Sequence, residues 1–241
     1  VATYTRQELK HDKLIDAAQT SASWIEENLA RVITLAVVAI VVLGIAIGGY
    51  LWFQHRSQAA AEAFGEALTT YQSPIRPTNA PADPTTESYA SSQERAQTAN
   101  KKFLAVADKY GMTEGGKNAE YYVGVTYAEL GQNASAEAAF KKVEGDSRDL
   151  GNLAKVALAS LYHSTGRDPQ AIAEYQDVIA HPSTTVPAVM GKLDLAALYQ
   201  AQGNTAQARK LWAEVKDADK TGAAGEIAAQ RLAGKTDSPQ Q

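Results

Sequence analysis

Residues 162–178 read YHSTGRDPQAIAEYQDV, and the same skeleton stands at 127–143 as YAELGQNASAEAAFKKV and at 199–215 as YQAQGNTAQARKLWAEV. Each copy places a tyrosine four residues before a glycine: Tyr127 and Gly131, Tyr162 and Gly166, Tyr199 and Gly203. Five residues past the glycine stands Ala136, Ala171 or Ala208; four further comes Phe140, Tyr175 or Trp212, and three beyond that Val143, Val178 or Val215. Glycine ends a helix in a conformation that other residues adopt at a cost, and a small alanine lets the next helix approach closely. The aromatic and the valine recur at helical spacing and fill the groove toward the next copy. Each copy therefore predicts a helical hairpin. The glycines lie 35 and 37 residues apart, the period of a stacked helical array.

Working outward, everything from Glu94 onward fits helices of about 13 to 18 residues broken by short Gly, Asn or Pro segments. Ala99, Phe103 and Val106 repeat the second-helix spacing, so residues 57–71 are the expected first helix of a fourth unit. Between them, residues 73–92 carry Pro74, Pro77, Pro81 and Pro84, which predicts an exposed loop. Residues 111–116 read as a connector, since no GK[ST] follows to make a phosphate loop. Residues 223–234 are the expected capping helix of the array, and 235–241 a disordered tail.

Toward the N-terminus the run at 32–53, VITLAVVAIVVLGIAIGGYLWF, contains no charged residue. At about 1.5 Å per residue it spans roughly 33 Å as a helix, enough for a hydrocarbon core about 30 Å thick. A core helix would show a polar face and a signal peptide a shorter apolar run near the chain start, so a retained transmembrane helix is expected. Trp24, Tyr50 and Trp52 are candidate interfacial aromatics, and Gly44 with Gly48 is a weak helix-contact motif. Ahead of the span, residues 1–31 form an amphipathic leader with Leu14, Ala18, Ala22, Ile25 and Leu29 on one stripe of a helix expected over 4–29. Arg6, Lys10, Lys13 and Arg31 precede the span whereas Arg56 alone follows within twenty residues, which places the N-terminus in the cytoplasm and the unit at 54–234 outside it.

Composition narrows the function classes. Lys and Arg total 23 against 27 Asp and Glu, and no basic block marks a nucleic-acid footprint, so nucleic acid is not an expected partner. The absence of cysteine removes thiolate metal sites and lipidation at cysteine. His11, His55, His163 and His181 fall in four separate segments without metal-ligand spacing, and no cofactor is expected. Ser160 and His163 share a helical face and make an imaginable nucleophile and base, but no third member or oxyanion loop accompanies them, so the chain reads as a non-enzyme.

The tyrosine, turn glycine, alanine, aromatic and small apolar positions resemble tetratricopeptide repeats over about residues 117–216. The first-helix tryptophan of that family is missing, its central glycine survives as Gly124 with Ala159 and Ala196 in the other copies, and its terminal proline survives only as Pro182, shifted by a residue. The resemblance implies an all-α solenoid of three to four hairpins whose first helices line a concave binding face. In that register Tyr121, Glu129, Ser160, His163, Met190 and Gln200 are the candidates to touch a protein ligand. Cytosolic repeats that clamp a terminal carboxylate use Lys and Asn where this chain has Tyr121 and Val125, which argues against such a clamp.

The layout of polar leader, including the Trp24-Ile-Glu-Glu-Asn28 stretch, single span and degenerate repeats resembles the bacterial inner-membrane ancillary subunits of the SecYEG translocon. That resemblance implies a single-pass inner-membrane protein with periplasmic repeats. Its implied partners are the translocon, exported polypeptides and periplasmic chaperones. The alternatives are a scaffold for cell-envelope or cell-division machinery and an import-receptor-like protein with cytosolic repeats.

Overall fold

A computed structural model of the chain describes residues 28–77 and 87–234. The leader reading for residues 1–27, the tip of the proline-rich loop at 78–86 and the tail at 235–241 lie outside the described residues. The chain divides into two units, Val1–His55 and Arg56–Gln241. Among the described residues there are nine helices and no strand; a lone bridge pairs Ile75 with Tyr89.

Helix α1 runs Leu29–Gln72, so the expected span and the helix expected at 57–71 are one helical element. None of its apolar window is buried by protein, and the helix is long and apolar enough to cross a membrane. Thr34 donates its hydroxyl to the carbonyl of Ala30 at 2.8 Å, which satisfies the polar atom inside the apolar run.

The second unit takes residues 56–72 of α1 and eight further helices: α2 Ser92–Tyr110, α3 Glu114–Glu129, α4 Asn133–Val143, α5 Arg148–Ser164, α6 Asp168–Ala180, α7 Ala188–Ala201, α8 Thr205–Ala218 and α9 Ala223–Leu232. From α2 onward each helix packs on the next in sequence, and α3 also meets α5 and α9 meets α7. Side-chain hydroxyls cap three of them: Ser91, Thr113 and Ser147 accept the N–H of Glu94, Gly116 and Leu150 at 3.1, 3.2 and 3.4 Å. The expected connector at 111–116 is thereby corrected. Helix α3 begins at Glu114 and carries Gly115 and Gly116 in its first turn, where a Cβ on Gly116 would stand 2.0 Å from the Tyr110 carbonyl oxygen.

The three turn glycines all have positive φ, 71° at Gly131, 74° at Gly166 and 75° at Gly203. At each turn the glycine N–H returns to the carbonyl three residues back, Ala128, His163 or Gln200, at 3.0 Å. The next N–H returns to the carbonyl of Tyr127, Tyr162 or Tyr199 at 2.9, 2.7 and 2.8 Å. That double closure satisfies two orphan carbonyls of the first helix and sets the glycine at the left-handed position.

Packing follows the same register. Ala136, Ala171 and Ala208 are fully buried, as are Val178 and Val215, with Phe140, Tyr175 and Trp212 at 2, 5 and 6 % exposure. Ahead of them Ala60, Ala67, Ala99, Phe103 and Val106 gather residues 56–72 and α2 into one cluster with Ala119 and Val123 of α3. Burying each large side chain contributes about 1.5–3 kcal/mol before entropy is counted. Asn100 crosses the α2–α3 contact, donating to Thr126 Oγ1 at 2.8 Å. At the far end α9 lays Ala228 against Ala196, Ala208, Trp212 and Val215.

The proline-rich loop is held at both ends rather than only exposed. Arg76 N–H donates to Tyr89 and Tyr89 N–H to Pro74, at 2.8 and 3.1 Å, while Tyr89 and Ser73 are buried.

Candidate functional site

Helical periodicity and packing together leave one stripe of the later first helices, α5 and α7, open. In α7, Gly191, Leu195 and Leu198 are buried, and a Cβ on Gly191 would touch Ile179 of α6 at 3.0 Å. Val189, Leu193 and Ala196 turn to the cluster around Trp212 of α8, and Lys192 pairs with Glu214 at 2.7 Å. The remaining stripe is Met190, Asp194, Ala197 and Ala201. Shifted by the repeat spacing, the same register is Leu153, Ala157, Ser160 and Ser164 in α5 and Asn118, Tyr122, Val125 and Glu129 in α3. In α3 it is covered by residues 56–72 and α2: Tyr122 stacks on Phe103 at 5.0 Å and meets Phe64 and Tyr71 at 5.6 and 5.7 Å.

Of the six expected residues, Glu129, Ser160 and Met190 lie in this register. Met190 is 48 % exposed. Glu129 accepts a hydrogen bond from the Tyr71 hydroxyl; burial first, then that bond and the carboxylate charge, raise the tyrosine above its ordinary pKa. Tyr121 stands one position off the stripe and is a wall of the core. Its ring is edge-on to Tyr122 at 5.5 Å and 5.7 Å from Phe140, and burial raises its pKa. His163 and Gln200 belong to the hairpin turns, where their carbonyls close the glycine turns.

The imagined pairing of Ser160 with His163 is not what the side chains do. Ser160 Oγ lies 3.3 Å from the Tyr175 hydroxyl, and His163 Nδ1 lies 2.6 Å from Asp168, whose other oxygen accepts from Gln202 at 2.8 Å. Among the described residues no cluster of three or more His, Cys, Asp or Glu is placed to hold a metal ion.

Carboxylates also tie the turns to one another. Glu137 of α4 receives Lys141 at 2.7 Å and Arg167 at 2.8 Å, with the Tyr162 hydroxyl at 3.2 Å. Those hydrogen bonds, Lys141 first and Arg167 next, hold its carboxyl down at about 2. The Arg167 guanidinium in turn lies over the Tyr162 ring, 4.4 Å from its centre. Asp168 plays the same part between the second and third turns through His163 and Gln202.

A second regularity joins the two helices of each hairpin. Glu120 pairs with Lys142 at 2.8 Å, Lys155 with Asp177 at 2.5 Å, and Lys192 with Glu214 at 2.7 Å. Each pair is 22 residues apart and in repeat register, but the first has its signs exchanged. The sequence analysis did not compare charges across the copies; a search for opposite charges at constant separation, blind to order, finds all three. Asp194 was missed for a different reason, since nothing in its sequence context distinguishes it from a solvated surface carboxylate.

On the other side of α7, a cavity of about 500 Å³ opens between α6, α7 and α8, floored by Ile179, Leu195 and Leu211 and crossed by the Lys192–Glu214 pair. No protein-family model, curated protein or solved structure matches the chain. The functional reading therefore rests on the chain's own residues.

Proposed function

We propose that the chain is a membrane-tethered protein-interaction module, in which α1 crosses the membrane and the helical unit presents the open stripe of α5 and α7 to protein segments. The observation that carries this reading is the threefold recurrence of one glycine-closed hairpin. Stacked hairpins of this kind set equivalent residues of successive first helices side by side, the surface on which tetratricopeptide-like arrays bind extended or helical peptides. Supporting it, the hydroxyl and histidine groups that a hydrolase would need are engaged in separate contacts.

The layout further supports a place beside the translocon of the bacterial inner membrane, with the helical unit in the periplasm, linking exported polypeptides to chaperones. Protease accessibility in intact spheroplasts tests the side. The unit at 54–234 is expected to be digested without lysis, and protection until lysis would overturn the translocon reading in favour of a cytosolic receptor. Deleting residues 32–53 is expected to release the protein to the soluble fraction. Retention in washed membranes would overturn the tether.

A further inference from the structure

The shared register of the first helices is mostly apolar or neutral, and its only two charges, Glu129 and Asp194, are both acidic. Glu129 accepts the Tyr71 hydroxyl. Asp194 is half-buried, and no hydrogen bond or ion pair joins it to any described residue, so burial pushes its carboxyl above the ordinary aspartate range. The lysines that could have met it are committed elsewhere: Lys155 to Asp177 and Lys192 to Glu214. On the neighbouring hairpin the Ser160 and Tyr175 hydroxyls lie 3.3 Å apart. Tyr175 is the one member of the aromatic series Phe103, Phe140, Tyr175 and Trp212 that carries a hydroxyl, and the Asp194 charge acts upon it. A partly desolvated carboxylate without a partner is unfavourable in the free protein, and an incoming cation removes that penalty.

We infer that this face selects a cationic, partly apolar peptide segment, with a Lys or Arg of the partner on Asp194 and its apolar side chains along Leu153 and Met190. The inference rests on the interaction-module reading and adds to it the chemical class of the partner. Charge complementarity decides the occupant. An acidic segment, a terminal carboxylate or an anionic lipid surface would each bring like charge to Asp194 and Glu129, and the stripe holds no cation to receive them.

The test uses the full-length chain in zwitterionic lipid nanodiscs, with empty discs as background, and fluorescence anisotropy of three labelled dodecapeptides: alternating Lys and Leu, alternating Glu and Leu, alternating Lys and Ser. The Lys–Leu peptide is expected to bind, the Glu–Leu peptide not to bind, and the Lys–Ser peptide to bind at least tenfold more weakly. Asp194→Asn should weaken the Lys–Leu peptide about tenfold. Ala197→Lys, an exposed position on the same stripe, should do so at least as strongly by supplying an internal cation. Circular dichroism of both variants is expected to match the parent. Unchanged affinity in both variants, or equal binding of the Glu–Leu peptide, would overturn the inference. If none of the peptides binds, the interaction-module reading falls with it. Asp194-dependent binding without any crosslink to exported polypeptides in membranes would keep this inference and overturn the export assignment alone.

Discussion

Replacing Gly166 with alanine isolates the backbone contribution of the hairpin turn. The glycine sits at φ 74°, and a Cβ built there meets no atom within 4 Å. The substitution therefore creates no clash and removes neither of the two closing hydrogen bonds, from Gly166 to His163 and from Arg167 to Tyr162. What remains is the strain of a left-handed alanine, roughly 1–2 kcal/mol. The stiffer unfolded chain returns about 0.4–1 kcal/mol of that. The net loss is about 1 kcal/mol. With a urea slope of about 1–3 kcal/mol/M, this corresponds to a midpoint lowered by roughly 0.3–1 M. Gly166→Asn should lose less, because asparagine visits the left-handed region more readily than alanine. Urea unfolding of the full-length chain in nanodiscs, followed by far-ultraviolet circular dichroism, measures both. An alanine variant as stable as the parent, or an asparagine variant less stable than the alanine one, would refute the turn assignment.

Gly124→Ala should cost about 1–3 kcal/mol by overpacking, since its Cβ would stand 2.5 Å from Cε1 of Phe140; adding Phe140→Leu should recover part of the loss in the same unfolding assay. Glu137→Gln should remove about 1 kcal/mol at neutral pH, discounted for the exposure of its partners. The Glu137 carboxyl is held at about 2 when folded and titrates near 4.3 when unfolded. Its contribution is complete above the unfolded value and fades as pH falls toward 2, so the parent and the variant should converge in that window. Lys155→Glu sets a like charge against Asp177 and should lower stability by about 0.5–1 kcal/mol. Adding Asp177→Lys should restore it, as the exchanged signs of the Glu120–Lys142 pair imply.

The hairpins were legible in the sequence because their determinants are local and repeat. A left-handed glycine and a buried alanine each need one residue type at one offset. Helix α3 was harder to place, because Gly115 and Gly116 argue against a helix start by propensity, whereas the close approach of α3 to Ala60 and Tyr110 admits little else. The packing of the Tyr121 ring was not legible, because the contact with Phe140 that draws it toward the core joins α3 to α4, which register alone does not show. Asp194 is invisible to pattern reading, since its partial burial is set by the fold rather than by its sequence context.

The central claim is that the open stripe of the first helices is where this protein meets its partners. A photoreactive amino acid at Ser160, on the stripe, and at Gln176, exposed on α6, tests it in native membranes with the full-length chain. The account predicts polypeptide adducts from position 160 and few or none from 176. Adducts from position 176 with none from 160 would contradict it.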